Sequence, residues 1–184
     1  MKSLILMRHG KSSFKNDGKK DQKRPLNKRG EKNAAQMGEL LKERELVPQI
    51  ILCSSADRAR QTAKIVTKII GYEGEIKYSK KLYMAEADEI LKVVRNLPDE
   101  LEKVMVIGHN PGLESLIPML TEKIEGLPSA GVAYISLPIE RWKELKSKTE
   151  GELVELWRPK ALDLKPEEAE GQGDSGQESA PPSE

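Results

Sequence analysis

Several kinds of residue are scarce in this sequence, and each scarcity excludes a class of protein. The 184 residues include one cysteine, two histidines, one Phe, two Trp and four Tyr. Because Cys53 is alone, no internal disulfide framework exists, which agrees with a reducing compartment. Two histidines and scattered carboxylates have no metal-ligand spacing, so neither a metal site nor a cofactor is predicted. The few aromatic side chains do not interleave with basic stretches, which argues against a nucleic-acid partner.

Long apolar runs are missing too. No stretch approaches the roughly 20 residues that span a bilayer, and the N-terminus has no signal-peptide pattern. We therefore expect a cytoplasmic protein with no membrane partner. The length of 184 residues suits one ordinary domain with a real core, and we expect a monomer.

Charge is unevenly distributed, although the formal net charge is +1. Residues 161–184 hold seven acidic residues against Lys165, a net of −6, which leaves +7 on residues 1–160. This tail is predicted to be disordered, and residues 1–160 form the domain. The tail either is an inert solubilising extension or folds back on the basic loop between Lys11 and Lys32. That loop is either a solvated surface or a field that attracts anionic substrates.

Apolar runs and amphipathic stretches alternate along the domain, which is typical of an α/β sandwich with a largely parallel sheet. Asn27 is predicted to cap the first helix, whose small residues at 30, 34 and 38 should pack closely on the sheet. Ser54 or Ser55 is predicted to cap the second helix. Strands are predicted at 4–7, 49–53, 75–78, 104–107, 131–138 and 151–157, and the two later helices at 87–97 and from 110.

Three predicted strands end in residues that can carry out chemistry. They are followed by Arg8-His9-Gly10, by the turn from Ser55 to Arg60, and by His109. Carboxyl ends of parallel strands share one edge of the sheet, so these turns are candidates to meet in one pocket. A guanidinium suits phosphate or carboxylate, and an imidazole is partly neutral and nucleophilic at physiological pH. A histidine after a buried strand is more often structural, so the signal depends on all three turns together.

Six motifs occur in a specific order: LILMRHGKSS, RPLNKRG, ILCSSADRARQTA, LYMA, VIGHNPGLE and ELWRP. In this order they resemble the histidine phosphatase superfamily, the phosphoglycerate-mutase-like group, and more closely its compact SixA-type phosphohistidine phosphatases. The resemblance covers nearly everything up to Lys160. It implies a three-layer α/β/α sandwich of the phosphoglycerate-mutase-like fold. The large insertion of bigger members is absent, because one predicted helix fills the interval between Met84 and His109.

The resemblance also implies roles for individual residues. His9 corresponds to the nucleophile that becomes a transient phosphohistidine, and Arg8, Arg58 and His109 correspond to the residues around the phosphate oxygens. Phosphoryl transfer needs little beyond an aligned nucleophile and donors fixed where charge spreads over three oxygens. Asn110, at the start of a helix, is expected to add its backbone N–H to the phosphate site.

Two further polar residues remain open to more than one interpretation. Glu86 is the nearest candidate general acid, and the alternative is a carboxylate that complements the dipole of the following helix. Arg60 competes with Arg58, but the family pattern Ser-Ser-x-x-Arg-Ala fits Arg58, so Arg60 is predicted to be a surface residue.

The sequence therefore predicts a metal-independent phosphatase that acts through phospho-His9, on phosphohistidine in a protein. A small-molecule phosphomonoesterase is the enzymatic alternative, so the partner is a phosphorylated protein or a small phosphate ester. A phosphoprotein-binding module without turnover is the alternative from another class, which both histidines and both arginines disfavour. Other phosphate motifs fail: a Walker A loop needs glycine where Ile5 stands, and a cysteine phosphatase loop needs arginine where Ala59 stands.

Overall fold

A computed structural model describes residues 1–13 and 20–160. The tail at 161–184, which was predicted to be disordered, lies outside the described residues. Residues 14–19 of the basic loop lie outside them as well. In chain order the strands are β1 (Lys2–Arg8), β2 (Ile50–Ser54), β3 (Glu75–Ser79), β4 (Lys103–Gly108), β5 (Val132–Leu137) and β6 (Glu152–Trp157). The helices are α1 (Lys28–Glu43), α2 (Asp57–Ile70), α3 (Ala87–Arg95) and α4 (Gly112–Thr121). Short 3-10 turns lie at Asp21–Lys23, Lys80–Leu82 and Trp142–Glu144.

The six strands form one mixed sheet in the order β3-β2-β4-β1-β5-β6. The four strands β1 to β4 run parallel, as predicted from the alternation of strands and helices. The last two strands differ, since β5 pairs antiparallel with β1 and β6 pairs antiparallel with β5. As a result β6 runs in the same direction as β1, and both end at the same edge of the sheet.

Helices cover both faces of the sheet, because successive side chains of a buried strand point to opposite faces. In β1, Leu4 and Leu6 belong to the core under α3 and α4. Ile5 and Met7, on the other face, belong to the core under α1 and α2. The predicted three-layer α/β/α sandwich is confirmed. No helix in the described part of the chain is long and apolar enough to cross a membrane.

The predicted helix caps were right for α1 and wrong for α2. The Asn27 side chain accepts a hydrogen bond from the backbone N–H of Gly30 at 2.7 Å, as an N-cap should. The N-cap of α2 is Ala56, and neither Ser54 nor Ser55 fills that position. The Ser54 hydroxyl does accept the Ala56 backbone N–H at 3.2 Å, but it lies inside the end of β2. A second partner, described below, explains why Ser54 is drawn inwards.

The two glycines of α1 do not serve the packing on the sheet that was predicted for them. A β-carbon at Gly38 would lie 3.3 Å from the side chain of Ile69, so this glycine faces α2. A β-carbon at Gly30 would lie only 2.1 Å from the carbonyl oxygen of Lys11. One at Gly10 would lie 2.8 Å from the carbonyl oxygen of Gly30. The start of α1 therefore lies directly against the turn that follows β1, and this backbone contact fixes the turn.

The opposite, amino-terminal edge of the sheet is held by a buried lysine. Lys2 is 4% exposed, and its ammonium donates to the carbonyl oxygens of Asp99 and Leu101. Trp142 joins the same cluster, because its indole N–H donates to the Leu101 carbonyl at 2.7 Å. The ammonium also lies 5.7 Å from the centroid of the Trp142 ring. These contacts fasten the α3–β4 connection to the first residue of β1.

Candidate active site

Three strand ends meet at the carboxyl edge of the sheet, as their positions in the sequence predicted. His9 follows β1, Arg58 lies in the first turn of α2 after β2, and His109 follows β4. The Nε–H of Arg58 donates to His9 Nε2 at 3.3 Å, and Arg58 Nη2 lies 3.5 Å from His109 Nδ1. The centroids of the two imidazoles are 5.0 Å apart. All three side chains are buried, so their polar atoms need partners within the protein.

The hydrogen bonds of His9 identify its protonation state. Nδ1 lies 2.6 Å from the Gly10 carbonyl oxygen, an acceptor only, so Nδ1 carries the proton. Nε2 receives the Arg58 N–H and must hold a lone pair. Burial, with the nearby His109 and the charge of Arg58, holds the pKa of His9 well below its ordinary value. His9 is therefore a neutral imidazole with an unprotonated nitrogen that faces the site.

The second imidazole is held from behind by Ser54. His109 Nε2 lies 2.7 Å from the Ser54 hydroxyl oxygen. Because Arg58 can only donate to Nδ1, the proton of His109 is on Nε2. That N–H donates a hydrogen bond to the Ser54 hydroxyl. Burial and the charge of Arg58 lower the pKa of His109 from 6.5 to about 3. This contact explains the inward position of Ser54, which capping preferences alone did not predict.

The outer end of Arg58 is occupied by a residue that sequence reasoning missed. Nη1 of Arg58 donates to the backbone carbonyl of Asp21 at 2.8 Å, and Nη2 donates to its carboxylate at 3.0 Å. The Arg58 side chain is 3% exposed, whereas that of Asp21 is 47% exposed. Nη2 also lies 3.9 Å from the sulfur of Met84. The guanidinium thus spans the site from the nucleophile to the surface.

Two more side chains fix Asp21. The Tyr83 hydroxyl donates to the same carboxylate oxygen as Arg58, and Arg24 donates to the other oxygen at 3.0 and 3.2 Å. Burial alone would raise the pKa of Asp21, but the hydrogen bond from Tyr83 and the charge of Arg58 outweigh it. The pKa is held well below its usual range, so this carboxyl group stays ionised. Asp21 sits in a charged, loop-like stretch, and nothing in its local sequence distinguishes it from a solvated acid.

Arg8 and Asn110 meet at one backbone carbonyl. Arg8 donates to the Leu127 oxygen at 3.3 Å, and the Asn110 side chain donates to the same oxygen at 2.8 Å. Asn110 also accepts the backbone N–H of Glu114 at 3.2 Å, which ties the residue after His109 to the first turn of α4. Arg8 is thus the last residue of β1, next to His9, and Asn110 lies on the turn that follows β4, next to His109.

Glu86 and Arg60 lie at the periphery. Glu86 is exposed and is the N-cap residue of α3, where it takes part in a capping box with Glu89. The backbone N–H of Glu86 donates to the Glu89 carboxylate at 2.9 Å. Arg60 is exposed, donates to the Ser55 carbonyl at 3.0 Å and covers the Tyr78 ring. Arg60 thus points towards the edge strand β3 and away from His9, in line with its predicted surface position.

Comparison with known proteins agrees with this geometry. The family model for the histidine phosphatase superfamily (branch 1) matches residues 4–83. An uncharacterised protein of Mycobacterium tuberculosis is 31% identical over 140 residues, which are 70% of this chain and 85% of the relative.

Two solved structures have a similar fold. One, named as a candidate phosphohistidine phosphatase SixA of Agrobacterium tumefaciens, has a TM-score of 0.75 and 25% identity over 86% of this chain and 98% of that one. A protein histidine phosphatase SixA complexed with tungstate has a TM-score of 0.71 and 21% identity, and covers 84% of this chain and 95% of that one. With the motif order, the sheet topology and the paired histidines, these matches lead to one assignment: the chain belongs to the histidine phosphatase superfamily.

Proposed function

We propose that this protein is a phosphatase that acts through a covalent phosphohistidine on His9, with phosphohistidine in a protein as its substrate. One observation carries the proposal: His9 is neutral, and its lone pair is on Nε2, which accepts the Arg58 N–H at 3.3 Å, a donor that an incoming phosphoryl oxygen can take over. A nucleophile needs an available lone pair, and the developing charge needs donors beside it.

The reaction proceeds in two balanced steps. First, the His9 Nε2 lone pair forms a bond to phosphorus while the bond from phosphorus to the leaving atom breaks. The leaving group departs with that electron pair and takes up a proton. Second, water attacks the phosphorus of phospho-His9, loses a proton, and releases inorganic phosphate with His9 restored. In both steps Arg8 and Arg58 offset the charge on the phosphoryl oxygens.

His109 acts as a donor once the phosphoryl group is present. In the resting site its Nδ1 holds a lone pair, which would repel a phosphate oxygen. The Ser54 hydroxyl at 2.7 Å can either accept from Nε2 or donate to it. If Ser54 donates, the proton of His109 moves to Nδ1 and points at the phosphoryl group. Ser54 is therefore the residue that lets His109 change from acceptor to donor. Asn110 is expected to add its backbone N–H at the same side of the phosphoryl group.

The form of the mouth favours a protein-bound phosphohistidine. Between Met84 and His109 the chain forms only the short helix α3 and the strand β4, so this interval supplies no long lid among residues 1–13 and 20–160. A phosphoryl group on a protein side chain can approach such an opening. Imidazole is also a comparatively good leaving group, so the reaction depends less on a general acid. Glu86, the candidate general acid, would have to leave its capping position at α3 in order to protonate a leaving group.

A small phosphate ester remains the second candidate substrate. Arg8, Arg58 and His109 recognise the phosphoryl group itself, which both substrate classes share. The two classes differ in what lies beyond that group, and therefore in what lies beside Asp21 at the mouth.

The test compares wild type with His9→Ala on an aryl phosphate in the presence of EDTA. We expect release of inorganic phosphate by the wild type, and a loss of about three or more orders of magnitude in the variant. Rapid quenching of the wild type should also trap an acid-labile, alkali-stable phosphoryl group, absent from His9→Ala. If both proteins are inert yet both bind a phosphopeptide, the chain is a binding module. Phosphohistidine and phosphoserine peptides, compared by kcat/KM, then separate the two substrate classes.

A further inference from the structure

The leaving group of a bound substrate must lie close to Asp21. In-line transfer places the leaving atom opposite the nucleophile. His9 is buried at the end of β1, so the direction away from it leads out along Arg58 towards the surface. Asp21 stands at that outer end, with its carboxylate 3.0 Å from Arg58 Nη2 and its side chain 47% exposed.

The position of this carboxylate is fixed. Arg24, which donates to one carboxylate oxygen, is itself held by the Ser12 hydroxyl at 2.7 Å and the Ser13 carbonyl at 3.2 Å. Tyr83, which donates to the other oxygen, packs its ring edge-on against His109 with centroids 5.5 Å apart. A carboxylate, paired with Arg24 and Arg58, is therefore built into the mouth of the proposed phosphoryl site.

We propose that Asp21 determines specificity: it selects substrates whose leaving portion is neutral or cationic, such as an imidazole, and disfavours those that carry a further negative charge beside the phosphoryl group. The inference rests on the proposed function and extends it, since the phosphoryl pocket alone does not discriminate between leaving groups.

The expected size of the effect follows from charge and distance. Two unit charges several ångströms apart near a protein surface interact strongly enough to change an affinity roughly tenfold. The effect is opposite in sign for an ammonium and for a carboxylate, and it weakens as salt is added. A residue that only positions Arg58 would instead change every substrate by the same factor. This difference in pattern makes the proposal testable.

The experiment measures kcat/KM for three aryl phosphates: phenyl phosphate, 4-(aminomethyl)phenyl phosphate and 4-carboxyphenyl phosphate. Each is compared between the wild type and Asp21→Asn at low salt, so that the intrinsic reactivity of the substrate cancels in the ratio. We expect the variant to gain roughly tenfold on the carboxylate substrate relative to phenyl phosphate, and to lose a similar factor on the ammonium substrate. Tyr83→Phe, which keeps the ring and removes one of the carboxylate's donors while Arg58 and Arg24 remain, loosens the position of the charge and should show a smaller change of the same sign.

Asp88→Asn is the matched control, because Asp88 is an exposed carboxylate in the first turn of α3. It should leave all three ratios unchanged. Equal factors for the three substrates in Asp21→Asn would overturn the specificity role and leave a positioning role. Calorimetric binding of the matching, non-hydrolysable phenylphosphonates gives a readout without turnover. If the wild type hydrolyses nothing but the phosphonates still show the charge pattern, the proposed catalysis fails and the selection by Asp21 stands.

Discussion

The two edges of the sheet each bury a cation, but they satisfy it in different ways. At the amino edge, the Lys2 ammonium donates to the backbone carbonyls of Asp99 and Leu101, which belong to a fixed connection. At the carboxyl edge, Arg58 donates to the Asp21 backbone and carboxylate and to an imidazole nitrogen. An incoming anion can compete with Asp21 for the N–H groups of Arg58. It cannot compete in the same way for the Lys2 ammonium, whose partners are backbone carbonyls. A buried cation is thus structural or functional according to whether its partners can be exchanged.

The largest expected effect comes from removing Arg58, the buried cation whose partners can be exchanged. Arg58→Ala should lower kcat for an aryl phosphate by about 10²–10³-fold, because the charge on the transferring phosphoryl group loses its donors. The measurement is steady-state kinetics, with circular dichroism to verify the fold. Arg60→Ala is the matched control, since Arg60 lies two residues away on the same helix and covers Tyr78 instead. Equal losses in the two variants would contradict the distinction.

Gly30→Ala should affect the carboxyl edge through the backbone. A new β-carbon 2.1 Å from the Lys11 oxygen forces α1 and the turn after His9 apart. We expect a loss of about 1–3 kcal/mol in the free energy of unfolding, as for other overpacked sites, together with reduced turnover. Urea unfolding and kinetics on the same samples measure both.

Gly38→Ala on the same helix is the control, because its neighbour at 3.3 Å is the side chain of Ile69. Its stability should change by no more than about 1 kcal/mol, since a better helix former offsets the closer contact, and its kcat should stay the same. If Gly38→Ala lowered turnover as Gly30→Ala does, the turn after β1 would not be the cause.

The smallest effect on activity is expected at the amino edge. Lys2→Met keeps the apolar part of the side chain but leaves the Asp99 carbonyl without its donor, while Leu101 keeps the Trp142 indole. We expect a loss of about 1–3 kcal/mol in the free energy of unfolding and an unchanged kcat at a temperature where the variant is folded. A fall in kcat comparable with that of Arg58→Ala would remove the contrast between the two edges.

The sequence predicted the alternation of strands and helices and the meeting of three strand ends, but it did not predict the order of the strands. Arg8, His9, Arg58 and His109 could be singled out as candidates because each follows an apolar run, and parallel strands bring such ends together. The order of the strands, and the reversal of β5, depend on connections that local patterns do not encode. Asp21 was missed because its three partners, Arg24, Arg58 and Tyr83, include two that are remote in sequence.

The errors in helix packing have the same origin. A small residue on a helix predicts close approach, but not which element approaches, and Gly38 meets α2 whereas Gly30 meets a turn. Ser54 is a residue type that often caps helices, yet the buried imidazole of His109 competes for its hydroxyl. Whether a local preference is realised depends on the tertiary partner that the same group can reach.

The direction of β6 determines where a fluorescent label or a surface attachment is best placed on this protein. Trp157, the last residue of that strand, pairs with Val132, which in turn pairs with Met7, two residues before His9. The first residue of β1, by contrast, lies beside Leu137 at the far rim. A fluorophore attached near Arg158 would therefore lie at the edge of the sheet that carries the candidate site, whereas immobilisation through Met1 would leave that edge facing solution.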